Sequence, residues 1–429
     1  MNIPKTAPVA AVAANLQAME ERTLQPSADP QTPMTRREVL KWLGAAGLTG
    51  ILSRIPAGWA SEPPAAAADA PPLPQVPRRV LGKTGESIPI LLVGCAMDFD
   101  QRFDPRLAEA VRFGVNYFDT ADCYAGGTSE TAIGNFVQRL GNRKAVWITT
   151  KSCPHDVPGM LRTLEQSLRR LQTDYVDLFF LHALVRKERL SREMKEAVAE
   201  LKKSGKIRYF GFSCHSHTVA ELLQEAARLD WIDAVMFKYN FREYGNKELN
   251  DAMDACHKAG VGLIAMKTQG SAASFEEHVK KFEGSQFNRH QAVLKAVWAD
   301  PRITAAVSHM DTLEKMKQNI AAALDRRELS EADRAALMRY AEETRCGYCA
   351  GCDHICGAAL PPELRVADTL RFLTYHDAYG DRAKARMLFA RLPESARHWE
   401  HVDFTTAAGL CPNGVNLPAL MRRAAEVLA

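Results

Sequence analysis

VNYFD (115–119), AVWITTK (145–151), VDLFFLH (176–182) and IRYFGFS (207–213) are four short apolar runs that close on Asp119, Lys151, His182 and Ser213, spaced 32, 31 and 31 residues apart. Stretches with apolar residues at helical spacing, such as Val157–Leu171 and Arg192–Lys203, separate them. A strand-plus-helix unit repeated at this length predicts an α/β chain folded as a parallel (β/α)8 TIM barrel. In that fold all C-terminal strand ends face one rim, so Asp119, Lys151 and His182 should converge in space. Outward from the four runs, Arg79–Pro89 reads as a hairpin around Gly85 that caps the barrel floor. The first strand falls near Ile90–Val93, the sixth at Ala234–Phe237, the seventh at Val261–Ala265 and the eighth at Ile303–Val307. Ser271–Asn288 is polar and irregular and reads as a rim loop or lid.

The chain has 429 residues, room for a barrel of roughly 250 residues with additions at both ends. Its interspersed charges and net +4 argue against a nucleic-acid partner. No uncharged apolar stretch is long enough for an ordinary membrane span. Thr35-Arg36-Arg37-Glu38-Val39-Leu40-Lys41 precedes a mildly apolar, Gly- and Ala-rich run, Trp42–Leu52, with a plausible cleavage point near Ala60. Residues 1–60 therefore resemble a twin-arginine export signal, which implies passage through the twin-arginine translocase to the periplasm. A basic amphipathic N-terminal helix is the alternative. Residues 61–77 are a Pro/Ala linker, 78–328 the barrel and 329–429 a second unit. Gly44, Gly47 and Gly50 make no dinucleotide fingerprint, because no strand precedes them.

Tyr124 follows Asp119 in the loop after the second strand. A phenol with a pKa of about 10 is a poor proton donor near neutrality, and a neighbouring ammonium lowers that value. Lys151 can supply the charge, Asp119 can hold Lys151, and His182 can orient a carbonyl oxygen. Together they make a proton-delivery site suited to carbonyl reduction. Taken singly, each has a plainer reading: a structural ion pair, a core histidine, a rim aromatic.

GVNYFDTADCYAGGTSETAIG (114–134), ITTK (148–151), DLFFLH (177–182), YFGFS (209–213), the strand around Tyr239-Asn240 and GLIAMK (262–267) resemble the aldo/keto reductase family over roughly Arg79–Leu324. The resemblance implies an NADP- or NAD-dependent reductase of a small aldehyde or ketone. Tyr124 would be the proton donor, Asp119 and Lys151 would tune it, and His182 would orient the substrate. It also implies cofactor contacts at Ser213, Cys214, Met236, Tyr239, Met266, Lys267, Lys315 and Asn319. Several of these depart from the family's pattern: Cys214 stands for an Asn, Met236 for a Gln and Met266 for a stacking aromatic.

Cys95, Cys123, Cys153 and Cys214 each follow a strand end and are expected near the rim, either as small apolar residues or as a disulfide or thiol-lined pocket. In the second unit Cys346-x2-Cys349-x2-Cys352-x3-Cys356 is followed by Cys411-Pro412. Thiolates at this spacing wrap an iron–sulfur cluster. The run resembles the ferredoxin-like tail on one branch of the aldo/keto reductases. That resemblance implies a single [4Fe–4S] cluster on Cys346, Cys349, Cys352 and Cys411, with Cys356 turned towards a lost second site. Structural zinc or disulfides are the alternatives. Val366–Leu392 reads as two helices joined at Gly380-Asp381 that pack this mainly helical tail onto the barrel.

The function expected is an exported carbonyl oxidoreductase. The competing classes are an electron-transfer protein with a redox partner and a ligand-binding barrel without hydride transfer.

Overall fold

The computed structural model describes residues 73–268, 289–377 and 380–429. The segment read as an export signal, most of the linker and the stretch read as a rim loop or lid at Ser271–Asn288 lie outside the described residues. Among those residues, no helix is long and apolar enough to cross a membrane.

The hairpin pairs β1 (Arg78–Val80) with β2 (Ser87–Pro89) in antiparallel register. The barrel strands are β3 (Leu91–Gly94), β4 (Tyr117–Asp119), β5 (Trp147–Ser152), β6 (Val176–Leu181), β7 (Ile207–Cys214), β8 (Ala234–Lys238), β9 (Gly262–Met266) and β10 (Ile303–His309). They form a closed parallel barrel in chain order, with β10 returning to β3. The chain is an eight-stranded (β/α)8 barrel, as the 31-residue beat predicts.

Period-two alternation divides the strands between two cores. Leu92, Tyr117, Trp147, Leu178, Phe180, Ala234, Met236 and Ile264 fill the barrel with Leu81 and Ile88 of the hairpin, which close its floor. Their neighbours Val93, Phe118, Ile148, Phe179, Phe210 and Phe237 face outward and pack under the helices. Gly211 is required inside this closure, because a Cβ there would lie 1.8 Å from the Ala234 carbonyl oxygen.

The outer helices are α1 (Pro105–Arg112), α2 (Thr128–Leu140), α3 (Val157–Leu171), α4 (Arg192–Lys203), α5 (Val219–Ala226), α6 (Lys247–Lys258), α7 (Arg289–Trp298) and α8 (Leu313–Leu324). Several begin where a side chain caps the first amides: Asp156 for α3, Ser191 for α4, Asn246 for α6 and Thr312 for α8.

The tail comprises α9 (Glu331–Glu343), the single turn α10 (Asp353–Cys356), α11 (Val366–Asp377), α12 (Arg382–Ala390), α13 (Thr405–Leu410) and α14 (Leu417–Leu428). It has its own core, built on Leu370, Phe372, Phe389, Trp399, Met421 and Val427. It docks on the C-terminal rim through polar contacts. Lys238 donates to the Ala350 carbonyl, Asn240 Nδ2 to Tyr348 Oη at 3.2 Å, Arg242 Nη1 to the Ala341 carbonyl at 2.9 Å and Lys384 Nζ to the Ala96 carbonyl at 2.8 Å. The tail therefore covers the barrel face on which a (β/α)8 enzyme carries its chemistry.

Candidate functional site

Asp119 ends β4, Lys151 lies in β5 and His182 follows β6, so three adjacent parallel strands bring them to one place. The ladder continues past the strand ends: Asp122 N–H donates to Lys151 O at 3.1 Å and His182 N–H to Ser152 O at 2.9 Å. Tyr124 stands in a tight turn after β4 that ends at Gly127. Gly127 has φ +96°, and a Cβ there would lie 2.4 Å from Arg170 Cζ, so glycine is needed for α2 to start over that guanidinium.

Lys151 is buried and its ammonium has two oxygen neighbours, Asp119 Oδ1 at 2.7 Å and Thr120 O at 2.6 Å. The same ammonium sits 4.9 Å from the Tyr124 ring centroid, and the Tyr124 and His182 rings meet edge to face at 5.5 Å. The four residues thus form one contact group. Their electrostatics differ from the expected arrangement. Burial, reinforced by the Asp119 charge, raises the Tyr124 pKa above the ordinary phenol value. The Lys151 charge is largely offset by its buried carboxylate partner. Burial also raises Asp119, against the pull of Lys151. Burial, then Lys151, His155, Lys267 and Arg371, push His182 well below its usual value, so its imidazole is neutral at pH 7.

A second phenol carries the cationic environment expected of the first. Tyr375 of α11 is 8 % exposed, and its hydroxyl accepts from Lys267 Nζ and, at 3.4 Å, from Arg371 Nη1. Burial pushes its pKa up, but Lys267 and Arg371 outweigh it and bring the value to about 7. Tyr375 is near enough to Tyr124 for the two phenols to influence each other electrostatically. Sequence reasoning missed Tyr375 because it lies in the tail. The available signal was the Arg371–Tyr375 pair at helical spacing.

Beside Tyr375 opens a cavity of about 450 Å³ between rim and tail, lined by Lys238, Lys267, Arg365, Arg371, His215 and His217 opposite Asp353 and Asp368. Of the residues read as cofactor contacts, only Lys267 lines it. Ser213 Oγ accepts the Ala183 amide at 2.9 Å and braces the turn after His182. Cys214 faces outward into the layer under the helices, and Met236 fills the barrel interior. Tyr239 donates its hydroxyl to Asp300 Oδ2 at 2.7 Å. Met266 packs against the interior cluster. Lys315 pairs with Asp311 at 2.7 Å, and Asn319 Nδ2 donates to Ser308 Oγ at 3.0 Å. With the tail docked, most of these side chains make contacts within the protein, and Lys267 is bonded to Tyr375.

The tail thiols are arranged differently from the ferredoxin-type assignment. Cys349, Cys352, Cys356 and Cys411 line one small cavity with Pro412 and Val415. Cys346 is exposed in a separate 3₁₀ turn and lies outside it. The turn α10 carries Cys356 inward to the place expected of Cys346. Val415 N–H donates to Cys411 Sγ at 3.4 Å, the kind of amide-to-sulfur contact that supports an iron–sulfur centre. Four thiols around one cavity are a donor set of the kind that iron–sulfur and zinc centres take. Of the four rim cysteines, Cys95 and Cys214 are fully buried under the helices, whereas Cys123 Sγ and Cys153 Sγ approach to 3.0 Å.

Residues 94–336, more than half of the chain, match the aldo/keto reductase family. The chain is 26% identical over 273 residues to the uncharacterized oxidoreductase YqkF of Bacillus subtilis, covering 55% of this chain and 87% of that one. Among solved structures it resembles the aldo-keto reductase AKR11C1 of Bacillus halodurans in its holo form, with a TM-score of 0.54 at 22% identity over 62% of this chain and 96% of that one. It also resembles the thermostable aldo-keto reductase Tm1743 in complex with the inhibitor epalrestat, with a TM-score of 0.51 at 27% identity over 61% and 99%. The chain belongs to the aldo/keto reductase family, and the family match ends within α9, before the cysteines of the tail.

Proposed function

We propose that this member of the aldo/keto reductase family is an exported oxidoreductase that reduces the carbonyl of a small compound, or oxidises the matching alcohol, at the covered mouth of its barrel. The observation that carries the reading is the contact group of Asp119, Tyr124, Lys151 and His182 at three neighbouring strand ends. Neutral His182 is suited to donate a hydrogen bond to a carbonyl oxygen, polarising it without surrendering a proton. Tyr124 delivers the proton in the family's pattern, with Lys151 held by Asp119 behind it. A specific observation favours Tyr375 as a second donor: its pKa of about 7 suits proton exchange near neutral pH. The cationic lining of the cavity favours a substrate with a carboxylate or phosphate group.

Cys349, Cys352, Cys356 and Cys411 would hold a [4Fe–4S] cluster, which supplies one-electron transfer when bound. Export rests on the twin-arginine segment, and that route suits a protein whose cofactor is inserted before it leaves the cytoplasm. The two electrons of the reduction would arrive as hydride from NADPH or NADH, the donor class that membership of the family implies.

The test is anaerobic purification from the native compartment. Iron and sulfide are counted, NADPH is titrated by fluorescence, and a panel of small anionic carbonyl compounds is assayed with Tyr124→Phe and Tyr375→Phe. Turnover lost in Tyr124→Phe with an unchanged circular dichroism spectrum supports the reading. Full carbonyl turnover in both variants refutes it. Iron without nicotinamide binding or carbonyl turnover moves the chain to the electron-transfer class.

A further inference from the structure

Beside the proton-delivery group, two thiols and a carboxylate remain without a role. Cys123 Sγ and Cys153 Sγ are 3.0 Å apart, and His182 Nδ1 lies 3.5 Å from the first and 3.4 Å from the second. Asp122 adds a carboxylate, and the four ligating atoms all lie within 4.8 Å of one another. Asp122 Oδ2 accepts from the Cys153 amide at 3.3 Å, while Oδ1 is buried with no hydrogen-bond partner. A buried carboxylate oxygen without a donor is costly, and a cation would relieve it.

We propose that Asp122, Cys123, Cys153 and His182 form a binding site for a borderline-soft divalent cation, with Zn²⁺ the best match. Thiolate, imidazole and carboxylate are the ligands this ion takes in tetrahedral sites. Its bond lengths put a ligating sulfur and nitrogen about 3.6 Å apart and two sulfurs about 3.8 Å apart. Both S···N separations here are close to that. The sulfur pair is tighter, and Cys153, exposed at the rim, has room to turn outward. The ligands sit just beyond β4, β5 and β6, whose register is held by the amide bonds at Asp122 and His182. The site is therefore assembled before an ion arrives. Two thiolates and a carboxylate exceed the ion's charge by one.

Coordination through Nδ1 leaves the imidazole proton on Nε2 and fixes His182 as a donor. Four protein ligands leave no open position, so the ion positions His182 and activates no water. It would also shield Cys123 and Cys153 from oxidation in an oxidising compartment.

The tail thiols can bind metal too, so the test must resolve individual cysteines. The full-length protein is alkylated with and without Zn²⁺ and read residue by residue by mass spectrometry. Alkylation of Cys123 and Cys153 is expected to slow with Zn²⁺ and to recover with chelator. Co²⁺ substitution adds a spectroscopic reading. Wild type should bind one equivalent more than Cys153→Ser, with a tetrahedral thiolate spectrum that the variant lacks. Equal alkylation with and without Zn²⁺, equal Co²⁺ content in the two proteins, or recovery of a Cys123–Cys153 disulfide from the native compartment overturns the proposal. The alkylation arm uses only the wild-type chain, so a folding defect in the variant cannot hide the answer.

Discussion

Replacing Lys267 by Met should disarm Tyr375. A free phenol titrates at about 10, so at pH 7 about one molecule in a thousand is ionised. Tyr375 titrates at about 7, so about half is phenolate at that pH. Burial works against ionisation, and the shift is owed to Lys267 and Arg371, each through charge and a hydrogen bond. Methionine keeps the bulk of Lys267 and removes one of the two cations. Burial then gains ground, and the Tyr375 pKa should climb back towards or above 10. An ultraviolet difference titration reads this directly: wild type shows one phenolate appearing around pH 7, and both Lys267→Met and Tyr375→Phe lose it. Turnover follows with a definite sign. Where Tyr375 exchanges the proton, reduction needs its protonated phenol, so the rate should fall as pH rises through about 7, and oxidation needs its phenolate, so the rate should fall as pH drops through the same point. Removing a general acid–base group typically costs about 10²–10⁴-fold, the range expected for Tyr375→Phe if it delivers the proton. A wild-type titration with no phenolate forming near pH 7, or one that persists in Tyr375→Phe, refutes the reasoning.

Cys346→Ser should keep the iron content of wild type, whereas Cys356→Ser should lose it, because Cys356 lines the thiol cavity and Cys346 does not; iron counting and the visible spectrum decide. Lys151→Met should destabilise the fold by about 3–5 kcal/mol, read by chemical denaturation, because it strands a buried carboxylate at Asp119. His309, lowered to about 4 by burial and then by Lys384 of the docked tail, is neutral when folded and protonates more readily when unfolded. Stability should therefore fall as pH drops from about 6.5 towards 4, and a Tm series should be flatter in His309→Gln.

The barrel and the ring order of the rim were legible in the sequence because they follow from local periodicity. A strand and a helix of fixed combined length, repeated in parallel, bring successive strand ends to one rim whatever the long-range packing does. That is why Asp119, Lys151 and His182 could be grouped from spacing alone. The cofactor positions show where this ran out. Ser213 and Cys214 are sequence neighbours, yet one braces a rim turn and the other lies under the helices.

Only the tertiary structure decided which thiols meet. Cys95 and Cys214 point away from the mouth and Cys123 and Cys153 point at each other, a difference of side-chain direction at strand ends that a motif does not encode. Only the docking of the tail brought Tyr375 to Lys267 and turned Cys356, not Cys346, into the thiol cavity. Local spacing sets how often an element recurs along the chain. Burial, charge and hydrogen-bond partners are set by whichever surface folds down on top, and here that surface comes from the far end of the chain.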